Sequence, residues 1–166
     1  LYDWINNNIS SDSVIASIDW ETVGTLPAFT AMNNFAPIGI RSIAPTKELE
    51  KRYLWLFGLY DANPEYVRLM FSSPSTAGAG ELVPRIFYFT YSNNKYLFDI
   101  PYEVTEEIVD NYLLTRNKIA NGAKPPYKLD YILVSSTEKA IIGENSQIWK
   151  LEKVLKNEKY ILYKYN

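Results

Sequence analysis

Short apolar runs alternate along the chain with one-sided helical stripes, and this alternation carries most of the information about the fold. Residues 14–18 and 131–134 are continuous apolar runs rich in β-branched side chains, which is typical of buried central strands. Apolar residues at helical spacing predict helices over residues 47–60 and 105–120. Strands that alternate with helices predict a single α/β domain, in which helices pack on the faces of a mixed β-sheet.

Weaker signals define the remaining predicted elements. Residues 1–9 carry apolar side chains at helical spacing and are predicted to end an upstream helix, while residues 10–166 form the globular domain. Asn63 and Pro64 predict the cap and first turn of a short helix. Further predicted elements are a helix over 25–32, strands over 35–43, 86–91 and 96–100, a mobile loop over 72–80, a short element of uncertain type at 140–142, and a closing hairpin of 149–154 and 160–165.

Composition limits the chemistry that this chain can perform. Its 166 residues are 47% hydrophobic, which suits one folded domain, and it contains neither histidine nor cysteine. Disulfides, thiol nucleophiles, thiolate zinc sites and a histidine general base are therefore excluded. We expect no catalytic residue, no metal site and no cofactor in this chain. The net charge of -2 and the assignment of many tyrosines to helix faces also argue against a nucleic-acid partner.

One group of residues beyond a predicted strand is a candidate site. Asp19, Trp20 and Glu21 follow the run at 14–18, and ligands of open α/β sheets bind beyond the carboxyl ends of strands. Two carboxylates beside an aromatic ring suit contact with a sugar or a cation. On an extended segment, Asp19 and Glu21 point to the same side, about 6–7 Å apart. The alternative is that Trp20 packs on the core and both acids face water.

A glycine pattern later in the chain is weaker. Gly78 and Gly80 form G-x-G, but Val83 stands where a dinucleotide-binding fingerprint requires its third glycine. We interpret this segment as a loop.

Both ends of the chain resemble polytopic membrane glycosyltransferases that use polyprenyl-linked sugar donors. In that family the last transmembrane helix leads into W-I-x-x-N/H-x-x-x-D-x-V-I/V-A-S, and an extracytoplasmic domain follows. The opening DWINNNISSDSVIASIDWETVG, residues 3–24, is similar to this segment through Trp4, Ile5, Asp12 and the run VIAS. The ending, with DYILV at 130–134 and VLKNEKYILYK at 154–164, resembles the strand and hairpin that close the same domains.

The resemblance implies a role in acceptor binding. In the catalytic subunit of archaeal oligosaccharyltransferase, the equivalent strand runs into Trp-Trp-Asp-Tyr-Gly, which contacts the acceptor. Here IDWETVG stands at 18–24, with tryptophan and acid in a different order, so a less specialised relative fits better. The donor-site acids of such families lie between transmembrane helices. The resemblance therefore implies a domain that is non-catalytic alone, with Asp19, Trp20 and Glu21 as candidate acceptor-binding residues.

Three functions remain open from the sequence. The first is the extracytoplasmic C-terminal domain of a membrane-anchored glycosyltransferase-like protein, whose partners are the transmembrane part of its own chain and a saccharide or peptide acceptor. The second is an autonomous extracellular binding domain. The third is a soluble sugar enzyme that uses Asp19 and Glu21. The chain starts at Leu1 without a methionine, and we interpret it as part of a longer protein.

Overall fold

Five strands form one mixed sheet in the part of the chain that the computed structural model describes. That part is residues 1–37, 44–72 and 102–165, with only the backbone described at positions 20, 102 and 103. The strand order is β2-β1-β3-β5-β4. The strands are β1 (Val14–Ala16), β2 (Asn33–Asn34), β3 (Tyr131–Ser135), β4 (Glu152–Lys156) and β5 (Tyr160–Lys164).

The sheet is parallel on one side and antiparallel on the other. Strand β1 runs parallel to both β2 and β3, whereas β5 runs antiparallel to β3 and β4. The predicted closing hairpin is therefore confirmed. The chain turns between its two strands with the Asn157 carboxamide, which accepts hydrogen bonds from the N–H groups of Lys159 and Tyr160.

Helices cover both faces of the sheet in the described part. They are α1 (Tyr2–Asn8), α2 (Trp20–Phe29), α3 (Thr46–Tyr60), α4 (Pro64–Phe71) and α5 (Tyr102–Ala120). Two 3-10 turns, Glu138–Ile141 and Gln147–Lys150, lie between β3 and β4. The predicted single α/β domain with a mixed sheet is confirmed. None of the helices described is long and apolar enough to cross a membrane.

Alternation of side chains along the strands divides the core into two layers. Ile15, Leu133 and Leu162 lie on the face covered by α1 and α2. The neighbouring residues Ala16 and Ile132 lie on the face covered by α3, α4 and α5. Because successive side chains of a strand point to opposite faces, a shift of one residue in register would exchange both layers.

The largest difference from the sequence prediction concerns α2. The helix predicted over 25–32 begins at Trp20, so Pro27 lies inside it rather than in its first turn. The reason is that Asp19 caps the helix instead of ending an extended segment. Its carboxylate accepts a hydrogen bond from the Thr22 N–H, which is otherwise an unsatisfied donor.

Other boundaries differ by a few residues. The strand predicted over 35–43 is wrong at residues 35–37, which are not in a strand, because β2 precedes them at Asn33–Asn34. Residues 38–43 lie outside the described part. The strand predicted over 149–154 begins at Glu152, since residues 147–150 form a 3-10 turn. The element at 140–142 is the end of another such turn. The predicted strands 86–91 and 96–100, the G-x-G and nearly all of the 72–80 loop lie outside the described residues.

Candidate functional site

The sheet has a topological switch point between β1 and β3. From β1 the chain passes through α2 to β2 on one side, and it returns past α3, α4 and α5 to β3 on the other side. Ligands of open α/β folds bind outside the carboxyl ends of the strands at such a point. The predicted site residues Asp19, Trp20 and Glu21 follow β1 directly at this edge.

The carboxylate of Glu138 fills this switch point. It accepts hydrogen bonds from the Ile18 N–H at 2.7 Å, at the end of β1, and from the Ser135 N–H at 2.7 Å, at the end of β3. The Ser17 hydroxyl lies 3.1 Å from both carboxylate oxygens, and the Tyr60 hydroxyl donates at 2.8 Å. Glu138 is only 3% exposed. The ends of both strands are thus joined through one buried side chain.

Glu138 also forms a capping box with Ser135. The Glu138 N–H donates to the Ser135 hydroxyl at 3.2 Å, while the Ser135 N–H donates back to the Glu138 carboxylate. This is the reciprocal arrangement expected of the pattern S-x-x-E at the start of a helical turn. The sequence Ser-Ser-Thr-Glu after the predicted strand was therefore an available signal for Glu138, which our sequence reasoning missed.

Burial dominates the ionisation of this cluster. It raises the pKa of Glu138 above its ordinary value of 4.5, against the opposing effect of the N–H donors from Ser135 and Ile18 and of Tyr60, and nearby Asp19 raises the pKa further. Burial, together with Glu138, raises the pKa of Tyr60 well above 10.0. Tyr60 is therefore the proton donor in its hydrogen bond with the carboxylate.

Asp19 caps α2 and is bonded to Thr22 and Thr137. Its carboxylate accepts from the Thr22 N–H at 3.0 Å, from the Thr22 hydroxyl at 2.8 Å and from the Thr137 hydroxyl at 3.0 Å. Glu21 is exposed in the first turn of α2, and the Trp20 side chain lies outside the description. The prediction that residues 19–21 form one extended segment is wrong, because Asp19 is the N-cap of α2 and Trp20 and Glu21 already lie in its first turn.

A second feature is an open groove of about 640 Å³ beside the C-terminal end of α3. It lies between the last turns of α3 and α5 and the segment 144–150. Trp149 lines it and is 39% exposed. Trp149 lies in a 3-10 turn and not in the strand predicted over 149–154.

The segment beside the groove is tightly anchored to the end of α3. The Gly143 N–H donates to the Tyr60 carbonyl at 2.8 Å, and the Ser146 hydroxyl donates to the Leu59 carbonyl at 2.6 Å. A Cβ on Gly143 would lie 2.4 Å from the backbone oxygen of Asp61, so only glycine fits this approach. The Trp149 Nε1–H donates to the Gly143 carbonyl at 2.9 Å, which fixes the indole ring.

The polar groups of the groove are balanced in charge. Arg116 forms an ion pair with Asp61, with Nε and Oδ1 2.5 Å apart. Glu144 and Lys150 add one charge of each sign at the rim, and Asn117, Asn145 and Gln147 supply carboxamides. Among the described residues, no three His, Cys, Asp or Glu side chains gather into a group that could hold a metal ion.

Comparison with known proteins gives no family or structural relative. No protein-family model, curated protein or solved structure that was compared with this chain matches it.

Proposed function

We propose that this chain is the extracytoplasmic C-terminal domain of a membrane-anchored, glycosyltransferase-like protein. In this proposal the chain is non-catalytic alone, and it assists acceptor binding or caps the transmembrane part of its own protein. The segments that resemble this family support the proposal, as does the way in which the fold brings them together.

The two resembling segments are distant in sequence but adjacent in the sheet. The opening segment supplies β1 and the closing segment supplies β3, β4 and β5. In the parallel pair β1–β3, Ile15 lies opposite Tyr131 and Ala16 opposite Ile132. The two segments that resemble this family are therefore parts of one sheet. This is what we expect if both belong to one domain type.

The positions of the carboxylates support the proposal that the chain alone is not catalytic. Sugar hydrolysis requires two carboxyl groups that face one another across a cleft, roughly 5–10 Å apart. Asp19 is bonded as the cap of α2, and Glu21 is exposed in the first turn of that helix. Glu138 is buried and accepts hydrogen bonds from strand ends, where a substrate has no access. These contacts favour a structural role for Asp19 and Glu138.

Activity measurements on the chain test this part directly. The 166-residue chain is incubated with lipid-linked and free oligosaccharides, and transfer and hydrolysis are followed by mass spectrometry. We expect no turnover. Turnover that disappears in the double variant Asp19→Asn/Glu21→Gln, with the fold preserved by circular dichroism, would overturn the proposal in favour of a soluble carboxylate enzyme.

The sequence that precedes Leu1 in the full-length protein tests the membrane anchor. Several apolar stretches of about 20 residues there would support the proposal. A full-length protein without any hydrophobic segment before this chain would overturn it. The groove beside Trp149 favours an autonomous extracellular binding domain as the second candidate, and a lone signal peptide before the chain would select that function.

A further inference from the structure

The groove beside Trp149 has the features of a built ligand site. Its volume of about 640 Å³ lies within the range of about 300–1,000 Å³ that is usual for small-molecule sites. Its wall is made of rigid elements, the last turns of α3 and α5 and a 3-10 turn. A site that is already shaped before binding loses less conformational entropy when a ligand enters.

Trp149 is held as a flat apolar platform in this polar groove. Its Nε1–H is already bonded to the Gly143 carbonyl, so the ring has no need of a polar ligand partner. Ile148, the residue before it, is fully buried in the core and anchors this 3-10 turn. An exposed indole costs hydrophobic free energy in water, and it gains by stacking against the apolar face of a ring.

The polar lining selects for a neutral ligand. The four charged side chains of the groove are two acids and two bases, and Arg116 is already paired with Asp61. A phosphate or a nucleic acid would require an excess of positive charge. The carboxamides of Asn117 and Asn145 each carry both donors and acceptors, which matches hydroxyl groups that also donate and accept. The Gln147 carboxamide oxygen accepts from the Lys150 ammonium at 3.1 Å, so this side chain offers its NH₂ group.

We propose that this groove binds a neutral oligosaccharide, with one sugar ring stacked on Trp149 and its hydroxyl groups bonded to the surrounding carboxamides. This inference rests on the proposed function, because it identifies the proposed acceptor as a neutral oligosaccharide and its binding site as the groove. It moves acceptor contact from Asp19, Trp20 and Glu21 to the groove between α3, α5 and residues 144–150.

Titration of the 166-residue chain tests the site. Maltotetraose, mannotetraose and chitotetraose are added separately to isotopically labelled protein, and the indole N–H signals of the four tryptophans are followed by NMR. The Trp149 signal is assigned from its absence in Trp149→Phe. We expect at least one of the three sugars to shift it in a saturable manner while the signals of Trp4 and Trp55 stay in place.

Variants separate stacking from general surface effects. Trp149→Ala should weaken binding about tenfold or more, as is typical when an aromatic stacking partner of a ring is removed. Trp149→Phe should retain most of the affinity because it keeps a ring. Phe29→Ala is the matched control, since Phe29 is also an exposed aromatic residue, 59% exposed, but lies outside the groove. It should bind as the unaltered chain does.

Each other outcome has a definite meaning. The proposal is overturned if none of the three sugars shifts the Trp149 signal at millimolar concentration, or if binding persists in a folded Trp149→Ala variant. It is also overturned if the hexapeptide GSNATG shifts this signal and the sugars do not, since the groove would then be a peptide site. Binding by a protein that lacks upstream membrane segments would support the groove and refute the membrane-anchored function. Failure of binding in a protein that has them would refute the groove alone.

Discussion

The replacement Glu138→Gln tests whether this side chain joins the ends of β1 and β3. Each carboxylate oxygen accepts from a backbone N–H, Oε1 from Ile18 and Oε2 from Ser135. Glutamine has one oxygen and one NH₂ group. In either orientation its NH₂ must face one of these backbone donors, so one buried N–H loses its acceptor.

The expected cost follows from these contacts. A buried donor without a partner costs about 1–3 kcal/mol, and hydrogen bonds to a neutral oxygen are weaker than those to a charged one. Relief of the desolvation of the charge offsets part of this loss. We therefore expect Glu138→Gln to lower the free energy of unfolding by about 2–4 kcal/mol at pH 7, a large share of a typical 5–15 kcal/mol.

Urea denaturation followed by circular dichroism and tryptophan fluorescence measures this change. Glu152→Gln is the matched control, because Glu152 is exposed on β4 and should change stability by less than about 0.5 kcal/mol. If Glu138→Gln cost no more than Glu152→Gln, the four contacts of Glu138 would contribute nothing measurable, and our account of the switch point would be wrong.

The pH dependence of the same pair of proteins has a defined sign. Because burial raises the folded-state pKa of Glu138 above 4.5, the folded chain binds the proton more tightly than the unfolded chain. The stability that comes from this tighter proton binding is fully present below the unfolded pKa and is lost as the pH rises through the folded pKa. The stability advantage of the unaltered chain over Glu138→Gln should therefore shrink as the pH rises above about 4.5 and then level off. An advantage that grew over this range would show that the pKa is lowered.

Three further substitutions test local features, each by urea denaturation. Asp19→Ala removes the cap of α2 and should cost about 1–2 kcal/mol, whereas Glu21→Gln should stay within about 0.5 kcal/mol; equal effects would contradict the capping role. Gly143→Ala places a Cβ against the Asp61 carbonyl and should cost about 1–3 kcal/mol, so an unchanged stability would refute the close approach. Gly24→Ala lies in α2 with no atom within 4 Å of the new Cβ and should stabilise by about 0.5–1 kcal/mol; a loss of stability would show that this helical position is crowded.

Elements with strong local patterns were predictable from the sequence. The strands at Val14–Ala16 and Tyr131–Ser135 are continuous apolar runs, and burial on both faces of a parallel pair requires such runs. The helix Thr46–Tyr60 has a long apolar stripe, and Pro64 begins the next helix as its cap pattern predicts. These signals lie within a few residues of one another, so they can be recognised without knowledge of the fold.

The start of α2 was not predictable by the same reasoning. Its sequence WETVGTLPAF contains glycine, proline and β-branched residues, all poor helix formers. The helix forms because Asp19 caps it and because Leu26 is buried against the sheet. Tertiary packing therefore outweighs local propensity here, and it places Glu21 in the first turn of a helix instead of on an extended segment.

The groove beside Trp149 could not be predicted from the sequence for a different reason. Its parts come from the ends of α3 and α5 and from residues 144–150, which are distant in sequence. They meet because Gly58 allows close packing of α3 on α5, where a Cβ would lie 2.6 Å from Cδ1 of Ile119. Such a surface depends on how two helices cross. The spacing of apolar residues within one segment does not predict this crossing.

The segment between β3 and β4 forms both the Glu138 cluster at the switch point and one side of the groove. It carries Glu138 at the switch point and Trp149 at the groove. Tyr60 contacts both halves, since its hydroxyl donates to Glu138 and its carbonyl accepts from the Gly143 N–H. The interactions that satisfy the strand ends therefore also hold the base of the Trp149 segment. The carboxylate of Glu138 occupies the position where α/β folds usually bind ligands, and the proposed sugar site therefore lies in the groove that the same segment forms.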